Sequence, residues 1–195
     1  GPVVAAAVMI AAAQYGLDLW HQVNDSKTIK AAKREYLFDL IITQSTYGLG
    51  VASVDEIDEI NILNASFLAM KRAISALLQS SGYPQPPESS QIHHAPPSFP
   101  PYILIDGKLK PKDWDWPSTA IIKGDSKSVS IAAASILAKV TRDRMMANLA
   151  ADYPAYGWCQ NAGYGTAAHL KAITEHGITP HHRRSFAPIR NLIIA

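Results

Sequence analysis

The chain has 195 residues, 48% hydrophobic and 17% charged, which makes one domain, or a domain with a small appendage, around a real apolar core. Its net charge of +2 identifies no polyanion binder by itself, because clustering of charge matters more than its sum. Cys159 is the sole cysteine, which excludes an intrachain disulfide and suggests a reduced, cytoplasmic setting, and no uncharged apolar run approaches the ~20 residues that cross a bilayer.

The opening GPVVAAAVMIAAAQYG lacks a basic leader and makes a poor signal peptide. Its continuous apolar run VVAAAVMI predicts a strand covered on both faces. In NDSKTIKAAKREYLFDLI, Asp25 or Ser26 can cap a helix with Ile29, Ala32, Tyr36, Leu37 and Leu40 on one side. YGLGVASV reads as a short strand. Ser53 or Asp55 then opens a long helix, along which Ile60, Leu63, Phe67, Met70, Ile74 and Leu77 recur at three and four as a buried stripe.

The stretch GYPQPPESSQIHHAPPSFPP is too rich in proline for regular structure and reads as a surface connection. YILID, residues 102 to 106, predicts a short strand ending on Asp106, and STAIIKGD repeats the form with its end at Asp125. An alanine-rich helix is expected from about Val129 to Leu149. The tail adds one more helix and a basic, aromatic segment. Strands alternating with helices predict an α/β protein with a mixed sheet.

Asp106 and Asp125 each close an apolar strand just before a turn. In open α/β sheets ligands sit outside the carboxyl ends of the strands, so adjacent parallel strands would aim both side chains at one pocket. Two close carboxylates repel unless a cation lies between them. Oxygen ligands without a cysteine cluster point to Mg²⁺ or Mn²⁺ rather than zinc. The plainer alternative is an Asp that caps a helix and an Asp that makes a turn, and the residues alone leave both readings open.

Other candidates are individually weaker. Tyr164, between Gly163 and Gly165, could stack on a nucleotide or be a plain loop tyrosine. His181 to Arg184, HHRR, could hold phosphate or be a solvated terminus. The pairs His93–His94 and His181–His182 suggest a metal site only if loops converge. Asp25 to Lys27 could offer phosphate a helix N-terminus and an ammonium, or simply cap.

Taken in order, GPVVAAAV, NDSKTI, EIDEINILNASFLAM, LIDG, IIKGDSKSVSIAAASILAKVTRDR, YPAYGW, GYGTAAHL and HHRRSFAPI resemble the ribonuclease HII family over almost the whole chain. The resemblance implies a ribonuclease H-like fold, with a catalytic core over residues 1–150 and a small helical, substrate-binding C-terminal region over 151–195. It implies a bacterial, monomeric, cytoplasmic endonuclease that binds no membrane. Its substrates would be RNA–DNA hybrids and duplex DNA with an embedded ribonucleotide, cut 5′ to the ribonucleotide with Mg²⁺ or Mn²⁺.

Asp106 and Asp125 would be two of the family's four metal-binding carboxylates. Tyr164 would pack on the sugar after the ribonucleotide, and Asp25, Ser26, Lys27 and Asn64 fall in motifs lining the nucleic-acid face. Asp143 lies five helical turns from Asp125, roughly 27 Å at ~1.5 Å per residue, and is assigned to structure.

The family's first motif, Asp-Glu-x-Gly-Arg-Gly, does not occur in these 195 residues. By resemblance it supplies the other two carboxylates and the grip on the ribose 2′-hydroxyl. Its strand is central to the sheet, which would otherwise be split. Residues are therefore expected before Gly1. Without them, a non-catalytic hybrid-binding module is one alternative; with the resemblance set aside, a metal-dependent phosphatase of small molecules is another.

Overall fold

Apolar strands and helices follow one another in the order that the patterning predicts. In the computed structural model, which describes residues 1–82, 101–114 and 116–194, strand β1 (Val3–Met9) leads through a four-residue helix α1 (Leu19–Gln22) to helix α2 (Ala31–Gln44). Strand β2 (Thr46–Ala52) and helix α3 (Val54–Ser81) come next, then strands β3 (Ile103–Asp106) and β4 (Ser118–Ile121) and helix α4 (Val129–Asp152). Three shorter helices, α5 (Trp158–Asn161), α6 (Ala167–His176) and α7 (Ala187–Ile194), complete the chain. His93–His94 and nearly all of the proline-rich connection lie outside the described residues.

β2 runs antiparallel to β1, with Val3 opposite Ala52 and Met9 opposite Thr46. β3 and β4 are parallel, with Ile103 opposite Ser118 and Asp106 opposite Ile121. The fold is α/β with both kinds of pairing, and among the described residues these are two separate ladders. α4 touches both β1 and β3 and so bridges them.

The main core lies between α2 and α4, where Leu37, Phe38 and Ile41 meet Ala132, Ala133, Ile136, Leu137 and Val140. The expected α2 face is corrected here, because Tyr36 is 57% exposed while Phe38 and Ile41 are buried. Nor do Asp25 and Ser26 cap this helix. It starts at Ala31 with Lys30 in the cap position, because the Asp25 carboxylate is used locally, accepting from Lys27 N–H at 2.9 Å.

α3 begins with the Ser53 cap predicted for it. Ser53 Oγ accepts from Glu56 N–H at 3.1 Å, and Glu56 Oε2 accepts from Ser53 N–H at 2.8 Å. This reciprocal pair satisfies two amides that the helix leaves open. Of the predicted stripe Leu77 is buried as expected, but the rest is displaced. Leu63 is 47% exposed and Ile60, Phe67, Met70 and Ile74 are half-buried, whereas Ala65, Ala69 and Ala73 are fully buried.

Two features account for the shift. Asn61, at φ 66° and ψ 165°, interrupts the helix, and its side chain accepts from Leu63 and Asn64 N–H to restart it. Beyond that break the helix lies so close on β2 that a Cβ on Gly48 would stand 2.1 Å from the Ala73 carbonyl oxygen. Ala69 and Ala73 stand at the closest points of approach, with Leu77 buried one turn beyond.

Candidate active site

Parallel pairing of β3 and β4 brings the end of β3, at Asp106, beside the turn that carries Asp125. Asp106 ends β3, and β4 stops beside it at Ile121. Lys123 then takes up left-handed backbone angles, φ 55° and ψ 48°, and the chain turns so that Gly124 N–H donates to Asp106 Oδ1 at 2.8 Å. Gly124 permits that approach. A Cβ there would lie 2.7 Å from Ile131 Cδ1 and 3.2 Å from Asp106 Oδ1.

Asp125 is the next residue, half-buried on a short 3-10 turn, Gly124–Ser126. The sequence placed it at a strand end and as a possible helix cap, and both points are corrected. β4 ends four residues earlier because the Lys123 turn breaks it, and Ser128 occupies the N-cap of α4. The Asp125 carboxylate makes no hydrogen bond or ion pair among the described residues. Capping therefore does not account for it, and both its oxygens are available to a ligand.

Asp106 keeps Oδ2 open. Two carboxylates with three uncommitted oxygens suit a hard divalent cation that retains several water or substrate oxygens. Among the described residues no group of three or more His, Cys, Asp or Glu side chains converges, so nothing resembles a closed zinc site.

Tyr164 lies in the loop between α5 and α6, where its ring packs beside α4. Ala162 and Gly163 have φ of 46° and 78°, and Tyr164 N–H donates to the Asn161 carbonyl at 2.8 Å. The ring is 60% exposed. Arg142 Cζ and Lys139 Nζ of α4 lie 5.5 and 5.6 Å from its centroid. Cations at that range are attracted to the ring, and each is itself held. Arg142 donates to the Ala162 carbonyl at 2.9 Å and to that of Pro2 at 3.2 Å. Lys139 pairs with Asp143 at 2.7 Å.

The remaining candidates lie elsewhere. Lys27 is exposed, Asp25 half-buried and Ser26 buried, in the turn ahead of α2. Asn64 is exposed on α3. No hydrogen bond or ion pair among the described residues joins any of them to Asp106 or Asp125.

HHRR is a tether and not a solvated terminus. Arg183 Nε donates to the Gly1 carbonyl at 2.8 Å, and the amides of Arg184 and Ser185 donate to Asp58 at 2.8 and 2.9 Å. His182 is buried, and its ring lies against His169, 3.2 Å away between the Nε2 atoms. Burial, and next the neighbouring His169, push the His182 pKa down to about 4.

Four contributing residues had no assigned role from the sequence: Gly124, Lys139, Arg142 and His169. A glycine wedged between a strand and an aspartate was the available signal for the first. Lys139 and Arg142, three apart on one helix face, offered another. Nothing local marks His169.

The family model described as Ribonuclease HII matches residues 1–189. The Ribonuclease HII of Magnetococcus marinus is 50% identical over 193 residues, covering 99% of this chain and 81% of that protein. That of Zymomonas mobilis is 47% identical over 190 residues, covering 97% and 79%. Among solved structures, ribonuclease H2 from Pyrococcus horikoshii OT3 is similar with a TM-score of 0.64 at 21% identity, covering 98% of this chain and 97% of that one. Bst-RNase HIII in complex with Mn²⁺ gives 0.68 at 19% identity, covering 100% and 65%. At such identities these two likenesses speak to the fold alone.

Proposed function

The chain belongs to the ribonuclease HII family, and from that premise we propose that this ribonuclease H cuts the phosphodiester 5′ to a ribonucleotide, with Asp106 and Asp125 holding Mg²⁺ or Mn²⁺. The observation that carries the assignment is the Gly124 turn, which fixes Asp106 and delivers Asp125, with its carboxylate unpartnered, one residue later. Oxygen ligands without a cysteine cluster support the choice of a hard divalent ion.

Bound there, the ions would acidify a water and offset charge on the phosphate. The protein's part is placement. Gly124 N–H pins one oxygen of Asp106, so Oδ2 is presented in a fixed direction, and Asp125 supplies a second carboxylate across the same turn. Water adds to phosphorus and the 3′-oxygen leaves.

Tyr164 would lie against the sugar that follows the ribonucleotide, where an added 2′-hydroxyl crowds the ring and DNA is preferred. Lys139 and Arg142 hold that ring from below. Asp25, Ser26, Lys27 and Asn64 would face the duplex more remotely. In this reading residues 1–150 form the catalytic core and 151–195 the substrate-binding region, joined through α4, whose Met146 and Ala150 pack in the C-terminal cluster. A monomeric, cytoplasmic enzyme belongs to the same proposal; no helix among the described residues is long and apolar enough to cross a membrane.

Cleavage of a DNA duplex containing one ribonucleotide, with either metal and with chelator, tests the reading. Metal-dependent cutting 5′ to the ribonucleotide is expected. Asp106→Asn should lower turnover by about a thousandfold or more while duplex binding stays within a few-fold, since only the charge that holds the ion is removed. Near-normal turnover in that variant would take Asp106 out of the site. A binding module would show salt-dependent affinity without cutting, and a small-molecule phosphatase would be indifferent to duplex length.

A further inference from the structure

Two buried histidines are each met by an N–H group that can only donate, although the Thr179 hydroxyl, 3.0 Å from His182 Nδ1, can bond in either sense. Thr179 N–H donates to His182 Nδ1 at 3.0 Å. An amide cannot accept, so His182 Nδ1 is bare and the proton of the neutral ring is on Nε2. That N–H faces His169 Nε2 at 3.2 Å. The indole N–H of Trp158, which is only a donor, aims at the same nitrogen from 3.1 Å.

His169 Nε2 is therefore an acceptor, and its ring proton sits on Nδ1, 2.9 Å from the Tyr164 carbonyl oxygen. Each assignment forces the next, from a backbone amide at Thr179 to a backbone carbonyl at Tyr164. Both imidazoles are only 5% exposed, and Tyr156 stacks on Trp158 at 5.2 Å between ring centroids to close the cluster.

We propose that His169 is a positioning residue for Tyr164, and that Trp158, His182 and Thr179 hold it in the Nδ1-protonated tautomer that this requires. The Tyr164 segment needs such a hold. It follows two residues in left-handed conformation, its ring is largely exposed, and its carbonyl has one other donor, Thr166 N–H at 2.8 Å. Fixing that carbonyl fixes the peptide plane beside the ring, and with it where the ring meets a sugar. The proposal rests on the reading of Tyr164 as the sugar-facing platform, but the hydrogen-bond relay can be tested without substrate.

Two measurements decide it. At neutral pH, ¹⁵N–¹H correlation of the histidine rings should show the proton of His169 on Nδ1 and that of His182 on Nε2. A His169 protonated on Nε2 overturns the proposal, whatever the enzyme cleaves. The second measurement compares kcat/KM for cutting 5′ to the ribonucleotide of a duplex that carries one with kcat/KM for cutting 5′ to the first ribonucleotide of a duplex that carries two in succession.

His169→Phe, which cannot donate, should lose about tenfold of the wild-type preference and approach Tyr164→Ala. His169→Asn, whose amide N–H replaces Nδ1–H, should keep most of the preference. The Tyr164→Ala/His169→Phe pair should lose no more than Tyr164→Ala alone. Wild-type preference in folded His169→Phe overturns the proposal. If the wild type cuts neither duplex, the nuclease reading falls and the tautomer measurement decides the relay by itself.

Discussion

At Gly124 a Cβ would meet Ile131 Cδ1 at 2.7 Å and Asp106 Oδ1 at 3.2 Å, so the ends of two side chains would have to give way. One neighbour is core and the other is a proposed metal ligand, so Gly124→Ala strains both packing and site. Crowding of this kind costs about 1–3 kcal/mol. We expect that loss in thermal unfolding, together with at least a tenfold fall in turnover. Gly16→Ala, which meets nothing within 4 Å, is the control and should change neither. An alanine at 124 with full activity would show that the close approach does not matter.

His182 gives a residue-scale prediction of the opposite kind, a response to pH. Burial and the facing His169 lower its pKa to about 4, and His181 and the Tyr156 ring also stand near it. Unfolded, it titrates near ~6.5. Between those values the unfolded chain binds more protons than the folded one, so stability is complete above about pH 6.5 and declines as pH falls toward about 4. The expected loss is roughly 1–3 kcal/mol, seen as a falling Tm that His182→Gln flattens in that window. The aspartates of LIDG and KGD could be singled out as candidates in the sequence because motif and chemistry agreed there. The contacts of Gly124, His169 and His182 could not, since they are made with partners elsewhere in the chain.

At the scale of elements, α3 shows what periodicity can and cannot report. It correctly announced a long helix with a Ser53 cap, but it weighted the large apolar residues and passed over Ala65, Ala69 and Ala73, which make the interface. Large residues mark where volume is buried, whereas small ones mark where two backbones approach. Gly48 and Gly50 of β2 are the complementary half of that signal. A Cβ on Gly50 would stand 2.0 Å from the Ala69 carbonyl oxygen and 2.5 Å from Ala73 N, both backbone atoms that cannot rotate aside. Gly50→Ala should therefore cost about 4 kcal/mol or more, read as a large drop in Tm or a failure to fold. A drop under 1 kcal/mol would mean that helix and strand slide apart freely.

For the whole molecule, the order of strands and helices could be read from the chain, but not which distant segments meet. Arg142 illustrates why. In the sequence it is one charge on an alanine-rich helix. In the fold it joins three regions, donating to Pro2 at the start of β1 and to Ala162 in the platform loop, with Tyr164 over its guanidinium. A planar fork of donors can serve two carbonyls and a ring together, and a lysine ammonium cannot. Arg142→Lys keeps the charge and removes the fork. Charge-assisted hydrogen bonds of this type contribute about 1.5–3 kcal/mol, so the variant should unfold at lower temperature by that equivalent. It should also lose several-fold of the preference for DNA after the ribonucleotide, because Tyr164 loses a support. Turnover on the single-ribonucleotide duplex should fall less, because the carboxylate turn at the other end of α4 is untouched. If turnover falls while the preference stays intact, Arg142 serves the cleavage step and not the platform.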